Sequence, residues 1–299
     1  MKGKATFFIL LLATMFSSMA QSTAQARLLR KAYKMQSTAT LFEFFDNWSE
    51  EVKSNDHKAK DPYLAEAYKV FAAIYQPMRM NDRHGSPLTM YHDKPYFIVQ
   101  GSLWKICKTD DILYKQEEID SFVVTRIRPL LPNDTCSLIE LISSMRNDTA
   151  KLSYVFWEHY SSAITNPIRV YSDIEFRPSV HFDGKKVVYL TKKYEKLLDS
   201  FLGDKHVDLG KHNIMQTAYS KEESQLRQEF INNAARIFYG HWGGYWQYET
   251  YPQANQIIIN SEMNRAIVLY RFIYSGGEVL LEKQNGEWRI VKSRYTWIE

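Results

Sequence analysis

The C-terminal end of the chain reads as a succession of short β-strands separated by turns. β-Branched and aromatic residues dominate five segments, which are 245–251, 256–260, 264–274, 278–283 and 287–297. Gly276-Gly277 and Asn285-Gly286 supply turn residues between the last of these segments. Consecutive strands joined by tight turns pair antiparallel, so the sequence predicts an antiparallel meander here.

A helix is predicted immediately before this meander. Ser220 and Glu223 form a capping box, the S-x-x-E pattern that opens a helix. Apolar residues then recur with helical spacing up to Gly240; they are Leu226, Phe230, Ala234, Ile237 and Phe238. We therefore expect a C-terminal domain at 220–299, a helix plus a curved antiparallel sheet, with a start near residue 190 as the alternative.

The preceding residues predict helices and mixed α/β structure. Apolar residues with helical spacing lie between 27 and 56, and Asp61-Pro62 has the residues that cap and open a second helix. These two helices are predicted to form an antiparallel hairpin. Asp183-Gly184 predicts the two-residue turn of a β-hairpin, and Thr191 then caps a helix. The fold class is thus α+β.

Glycine and polar residues mark the predicted domain boundary. Residues 203–219 are polar and contain two glycines, which is typical of a connecting segment. We place the linker at 206–219 and assign 27–205 to an N-terminal part made of the helical hairpin and a mixed α/β region.

The chain begins with the pattern of a secretory signal peptide. Lys2 and Lys4 form a basic start, an apolar stretch follows, and small and polar residues come next. Cleavage sites of the A-x-A type end at Ala20 and Ala26, so the signal peptide is predicted within 1–26. The apolar stretch is shorter than the roughly 20 residues that a membrane-spanning helix needs. We expect a soluble exported protein, periplasmic or extracellular, with no transmembrane span in its mature chain.

Composition narrows the classes of partner. Hydrophobic residues make up 45% of the chain, which is enough for a packed core, and the formal net charge is only +4 at pH 7. Removal of Lys2 and Lys4 with the signal peptide would bring the charge closer to zero. Because the sequence has no basic tract, we expect no nucleic-acid partner.

The chain contains two cysteines, Cys107 and Cys136. Oxidising conditions outside the cytoplasm favour a disulfide between them, whereas two buried thiols are the other interpretation, and the sequence leaves both open. Two cysteines do not make a zinc ligand set. The histidines and aspartates of the polar loops match no metal-ligand spacing, so we predict no metal and no cofactor; these residues are Asp82, His84, His92, Asp93, His206, Asp208 and His212.

The predicted helix and sheet resemble the nuclear transport factor 2-like superfamily, in which a curved sheet wraps a helix into a cone with a pocket. The segments YLTKKYEKLLDSFLGD, GHWGGYW, YSGGEVLLEKQNGEWRIV and TWIE are similar to a family of uncharacterised exported bacterial proteins. This resemblance implies a fold and a compartment and no activity. Isomerases and dehydratases of the superfamily use an Asp or a His–Asp pair inside the cone. Here Asp208 is the last Asp and His241 the last His of the chain.

Aromatic residues concentrate in GHWGGYWQYETYP, residues 240–252. Seven of the fourteen residues 238–251 are aromatic, against 14% for the whole chain. Tyr and Trp combine a large apolar body with a polar tip, which suits a core seam, a protein interface or stacking on a sugar ring. We take Trp242, Tyr245, Trp246 and Tyr248 as candidate ligand-binding residues.

Arg271 lies in the middle of a predicted strand. An arginine there must be exposed or paired, because a buried unpaired charge is very costly. The candidate partners are Glu249, Glu278 and Glu282. One interpretation is a surface ion pair; the other is an arginine that holds an anionic ligand, and so Arg271 and Glu249 join the candidate ligand site.

Two functions follow from these patterns. The first is a non-enzymatic exported binding or interaction module with an aromatic seam or pocket for a small molecule, a glycan or an envelope protein. The alternative is a small-molecule enzyme of the isomerase, dehydratase or hydrolase type, with Glu249 or His241 as base in the cone. Because the common nucleophile, metalloprotease and nucleotide-binding motifs are missing from the sequence, we favour the first.

Export gives the first testable prediction. The native protein should lose residues 1–20 or 1–26 and be found outside the cytoplasm, because the N-terminal pattern directs secretion and cleavage. N-terminal sequencing of protein from fractionated cells measures this. An intact Met1 in the cytoplasmic fraction would contradict it.

Overall fold

Five helices and eleven β-strands make up the described part of the protein in this computed structural model. The chain is therefore α+β, as the sequence predicts. The structure describes residues 23–76, 93–115, 117–118, 121, 125, 155–156, 164–203, 221–239, 246–248, 250, 252–272 and 274–298. The predicted signal peptide lies largely outside these residues, and the predicted linker 206–219 lies wholly outside them. None of the described helices is both long and apolar enough to cross a membrane.

The chain divides into two compact units that interleave along the sequence. The first unit consists of Met1–Ser54, Met78–Gly101 and Val180–Thr250, and the second of Asn55–Pro77, Ser102–Ser179 and Tyr251–Glu299. This division differs from the predicted one, because the helix expected to belong to the C-terminal meander lies in the first unit and the meander in the second.

The first unit is built from four helices and two pairs of strands. Its helices are α1 (23–34), α2 (Thr38–Glu51), α4 (Lys192–Leu202) and α5 (Lys221–Ile231). Strand β1 (Tyr96–Gln100) pairs in parallel with β5 (Lys186–Leu190). Strand β6 (Ile237–Tyr239) pairs antiparallel with β7 (Trp246–Tyr248).

Aromatic rings form the centre of the first unit. Trp48 of α2 stacks on Tyr194 of α4 with 4.4 Å between ring centroids, and Phe44 and Phe45 pack against Trp48. All four side chains are fully buried. The indole nitrogen of Trp48 also donates to the carbonyl oxygen of Tyr189, 3.1 Å away. This core therefore joins α2, α4 and β5.

The predicted hairpin around Asp183-Gly184 is wrong, although the turn itself exists. Gly184 has a positive φ of 70°, and the amide of Lys185 donates to the carbonyl of Phe182. The residues before the turn form no strand, and β5 after it pairs in parallel with β1. Turn chemistry fixes the local reversal but leaves open which strand β5 joins.

Helix α5 is shorter than predicted. It ends at Ile231, and residues 237–239, assigned to the helix from their spacing, form β6 instead. Asn233 Nδ2 donates to the carbonyl of Phe230, and asparagine side chains that bind nearby backbone compete with helix continuation. Leu226, predicted on the apolar stripe, is 54% exposed.

The second unit contains a seven-stranded mixed sheet. Its strand order is β11-β10-β9-β8-β2-β4-β3, with the single parallel pair between β2 and β8 and antiparallel pairs elsewhere. The strands are β2 (Ser102–Leu113), β3 (Val155–Phe156), β4 (Ile164–Glu175), β8 (Gln253–Asn260), β9 (Arg265–Phe272), β10 (Ser275–Gln284) and β11 (Glu287–Ile298). Four of the five predicted segments thus form the meander β8–β11. The prediction is wrong for the first, 245–251, because β7 lies there and pairs with β6 in the first unit.

Helix α3 (Pro62–Ile74) packs on this sheet against β2, β8 and β11. Its start is as predicted, because Asp61 Oδ1 accepts from the amides of Tyr63 and Leu64 while Pro62 occupies the first turn. Helix α3 belongs to the second unit and α2 to the first, so the predicted helical hairpin is not one compact piece.

A buried carboxylate fastens α3 to the sheet. Glu66 is 8% exposed and accepts hydrogen bonds from Lys69 Nζ, Lys283 Nζ and Trp288 Nε1, each at 2.8 Å. Lys283 and Trp288 stand on β10 and β11, on either side of the Asn285-Gly286 turn. Burial alone would raise the pKa of Glu66, but the hydrogen bonds from Lys283, Lys69 and Trp288 outweigh it and hold the pKa below 4.5.

The Glu66→Gln variant should lose about 1–2 kcal/mol of unfolding free energy at pH 7. The Lys283 side chain, 23% exposed, loses its anion, whereas that of Lys69, 61% exposed, can be hydrated. Since the pKa of Glu66 is lower in the folded protein, its contribution is complete above about pH 4.5 and disappears as the pH falls through the folded pKa. Urea denaturation from pH 7 to pH 3 should therefore show a shallower loss of stability in the variant. The exposed Glu262→Gln is the matched control, and equal pH slopes for Glu66→Gln and wild type would contradict the prediction.

Candidate functional site

Most residues of the predicted aromatic site lie outside the described part of the chain. This holds for the whole of His241, Trp242, Tyr245 and Glu249. Trp246 is described only as backbone of β7. The two candidates with described side chains, Tyr248 and Arg271, belong to different units.

Tyr248 serves the interior of the first unit. It is 5% exposed, and its hydroxyl donates to Asp199 Oδ1 of α4 at 2.8 Å. Burial, together with the nearby Asp199 carboxylate, raises the pKa of Tyr248 well above its usual value. The phenol therefore stays neutral and ties β7 to α4, and ligand binding by Tyr248 stays a prediction.

The same tyrosine–carboxylate contact recurs in the first unit. The hydroxyl of Tyr194 donates to Glu51 Oε2 at 2.8 Å, and that of Tyr96 donates to Asp46 Oδ1 at 2.7 Å. In each case burial and the partner carboxylate raise the tyrosine pKa. The sequence analysis missed these pairs, because their members are far apart in the chain.

Arg271 lies on β9 opposite Gly276 of β10 and Gln253 of β8. Two of its three predicted carboxylate partners bind other arginines. Glu278 accepts from Arg294, and Glu282 lies 3.6 Å from the Nε atom of Arg265. The third, Glu249, is outside the described residues.

Glu278 and Arg294 form a buried ion pair between β10 and β11. Arg294 Nε donates to Glu278 Oε1 at 2.9 Å; the carboxylate side chain is 1% exposed and that of the arginine 35%. Cross-strand partners point to the same side of a sheet. The register pairs Glu278 with Leu269 and Gly276 with Arg271, so Arg271 shares the face of this ion pair.

Gly276 and Gly277 lie inside β10, not in the predicted turn. The hairpin closes one step earlier, where Ser275 pairs with Phe272. A Cβ atom at Gly276 would lie 2.3 Å from the Trp297 ring, and one at Gly277 would lie 2.2 Å from the Arg294 carbonyl oxygen. These glycines therefore permit close packing of β10 against β11, where the register shifts between them.

A second charged cluster surrounds Arg265 at the other end of β9. Its Nη2 atom donates to Glu118 Oε1 at 2.7 Å and its Nη1 atom to the Ile112 carbonyl at 2.9 Å. Asp111 and Glu282 lie within 3.7 Å and 3.6 Å of the guanidinium. Burial alone would raise the pKa of Glu118, but hydrogen bonds from Arg265 and the backbone lower it. The cluster holds its charges in fixed pairs.

Cys107 on β2 is a buried free thiol that packs with Ile258 and Leu280. Its Sγ atom accepts from Gln256 Nε2 at 3.2 Å, and burial raises the pKa of the thiol. A buried thiol with a raised pKa is unreactive. The sequence left open a disulfide or two buried thiols, and in the structure Cys107 is a thiol. Cys136 lies outside the described residues.

The outermost strand β11 carries an exposed surface that the sequence analysis did not single out. Ile290, Val291 and Tyr295 are 51%, 43% and 38% exposed, and Arg289 and Lys292 are exposed beside them. The other large apolar side chains exposed in the described residues are Met35, Trp104, Val170 and Leu226. Strand β11 thus has the densest group of them along the sequence. The basic and apolar residues interspersed in WRIVKSRY were the sequence signal from which this surface could have been predicted.

Comparisons with protein-family models, curated proteins and solved structures found no match to this chain. Among the described residues, no three His, Cys, Asp or Glu side chains are grouped so that they could hold a metal ion. The loop residues considered as metal ligands lie outside those residues, except Asp93.

Arg294→Met should lose about 3 kcal/mol of unfolding free energy, because it leaves the Glu278 carboxylate buried without this cation. Glu278→Gln should lose about 1 kcal/mol, since the more exposed guanidinium can be hydrated. Urea denaturation followed by circular dichroism measures both. Arg289→Met is the matched control at an exposed site and should stay within about 0.5 kcal/mol of wild type. Equal losses for Arg294→Met and Arg289→Met would show that the pair does not stabilise the sheet.

Proposed function

We propose that the protein is an exported, non-enzymatic binding module that engages another macromolecule through its second unit. The exposed group of apolar and basic residues on β11 carries this proposal. Exposed apolar residues at a sheet edge are a common feature of protein-interaction sites. A macromolecular partner fits better than a small molecule, because these side chains follow an extended strand of twelve residues.

The state of the carboxyl groups supports a binding role over catalysis. Asp46, Glu66, Asp93 and Glu118 have shifted pKa values among the described residues, and all four are shifted downwards. In each, burial opposes the shift, and hydrogen bonds or ion pairs with lysine or arginine outweigh it. A general acid that works near neutral pH needs a raised pKa instead. These groups are therefore suited to structural ion pairs.

The superfamily resemblance is also part of the proposal. A helix packed on a mainly antiparallel sheet is the arrangement that the nuclear transport factor 2-like likeness implies. The packing of α3 on the sheet that contains β8–β11 supports this likeness. We propose this likeness for the second unit as a whole, with the helix supplied from the N-terminal third of the sequence.

Export is proposed with cleavage after Ala20. Gln25 is 8% exposed, and Ala26 packs against the core of the first unit as part of α1. Cleavage after Ala26 would remove both residues from the folded helix. Cleavage after Ala20 keeps the described helix whole.

The interaction is tested by removing the exposed apolar side chains of β11. The Ile290→Ser/Val291→Ser variant should give an about tenfold lower yield of cross-links to other envelope proteins than wild type. The reason is that exposed apolar anchors supply much of an interface's binding energy. Cross-linking in intact cells of the source organism, quantified by mass spectrometry against wild type, measures this. This double variant and the control variant described next must first show the same thermal unfolding as wild type.

The control changes two equally exposed apolar residues of the first unit. Met35 and Leu226 are 60% and 54% exposed, so Met35→Ser/Leu226→Ser removes comparable apolar surface away from β11. This variant should keep the wild-type cross-links within about twofold, the spread expected of ordinary surface changes. Equal retention by both double variants would overturn the proposed role of β11.

A further inference from the structure

Strand β11 ends the seven-stranded sheet among the described residues. It pairs with β10 on one side, from Glu287 opposite Gln284 to Ile298 opposite Ser275. The outer side of such a strand presents backbone N–H and C=O groups to which another strand can bind. At twelve residues, β11 is about twice the usual length of a strand. It therefore offers a long template.

Cross-strand register sorts the side chains of β11 into two faces. Arg289, Lys292 and Arg294 lie on one face, because their partners on β10 are the alternating residues Glu282, Leu280 and Glu278. Glu287 and Trp297, opposite Gln284 and Gly276, lie on the same face. Ile290 and Tyr295 lie on the other, opposite Leu281 and Gly277. The extra residue at the register shift is Val291. One face of the edge thus carries three basic residues and one acidic residue, and the other is mainly apolar.

From this pattern we propose that β11 accepts one further strand from a partner protein, a segment in which acidic and apolar residues alternate. Backbone hydrogen bonds along the outer side of β11 would supply affinity, and side-chain pairs would supply selectivity. Acidic residues of the segment face Arg289 and Lys292, while its apolar residues face Ile290 and Tyr295. The proposal rests on the binding role proposed above and names the class of partner.

Charge separates this partner from a second copy of the chain. When two copies of β11 pair antiparallel about a twofold axis between Val291 and Lys292, Arg289 faces Arg294. When the axis passes through Ser293, Lys292 faces Arg294. Like charges directly opposite each other destabilise a pair of strands. An acidic segment replaces this repulsion by attraction.

Two features of β11 limit which strands can pair with it. Lysine residues and β-bulges discourage unselective strand pairing, and β11 has Lys292 and two register shifts against β10. Of the basic residues, Arg294 is engaged with Glu278 and Arg289 with Glu287, whose charge is exposed to solvent. An acidic residue of the partner that faces Lys292 and Arg289 therefore competes only with Glu287 for Arg289.

The test uses the folded full-length mature chain and capped, fluorescein-labelled peptides of about nine residues, long enough to span most of a strand. The probe alternates glutamate and valine. One control peptide alternates lysine and valine, and another keeps the glutamates but replaces every second valine by proline, which removes backbone donors. Fluorescence anisotropy should give at least about tenfold tighter binding of the glutamate–valine peptide than of either control, weakening as salt screens the charges.

Charge-reversed protein variants test where the peptide binds. Arg289→Glu/Lys292→Glu should bind the glutamate–valine peptide about tenfold or more weakly than wild type, because like charges then face each other. It should bind the lysine–valine peptide more tightly than wild type, because opposite charges then face each other. The matched control Lys58→Glu/Lys60→Glu makes the same charge change at exposed sites of the second unit and should bind like wild type. Hydrogen exchange should slow at β11 amides on addition of the glutamate–valine peptide.

Three outcomes would overturn the inference. They are equal binding of the acidic and basic peptides, protection confined to residues other than β11, and dimerisation of the wild-type chain that Arg289→Glu/Lys292→Glu abolishes. If any of these occurs while Ile290→Ser/Val291→Ser still loses its cross-links, the proposed binding function stands and strand addition is wrong. If the cross-links also persist in that variant, both proposals fail.

Discussion

The buried carboxylate of Glu66 is the contact on which the second unit depends. A helix of thirteen residues such as α3 is only marginally stable by itself, so it needs the sheet. Lys283 and Trp288 reach Glu66 from the two strands that flank the last turn. One side chain thereby ties α3 to both strands of the β10–β11 hairpin. Strand β11, and the surface it presents, is held in place by this contact.

Three tyrosines of the first unit share one structural role. Tyr96, Tyr194 and Tyr248 each donate to a carboxylate from an otherwise apolar interior. Such a pair satisfies the hydroxyl of a buried tyrosine while the ring fills space, so one residue serves both packing and hydrogen bonding. Aromatic enrichment alone is therefore an ambiguous signal. Such enrichment can mark a core in which the tyrosine hydroxyls are hydrogen-bonded as readily as it can mark a ligand-binding site.

Local patterns predicted the elements better than their partners. The Asp61-Pro62 cap and the Asn285-Gly286 turn are specified by neighbouring residues, and both are present as predicted. The parallel pairing of β5 with β1 and the role of Gly276 depend on residues distant in the chain, which local spacing does not encode. The same limit applies to the candidate site: Arg271 was predicted from its place in one strand, whereas the Arg294–Glu278 pair and the two-faced edge of β11 require the register between strands.

The interleaved course of the chain has a consequence for how the protein acquires its structure. The meander joins the rest of the sheet through the pairing of β8 with β2, in which Ile258 lies opposite Cys107. A long segment of chain separates these two strands in the sequence. Contacts so distant in sequence make folding slow, because a large loop must close before they form. Synthesis of the last residues, 251–299, is needed before the sheet can be completed. The second unit therefore stays incomplete on the nascent chain until the end of synthesis, so its folding follows translation.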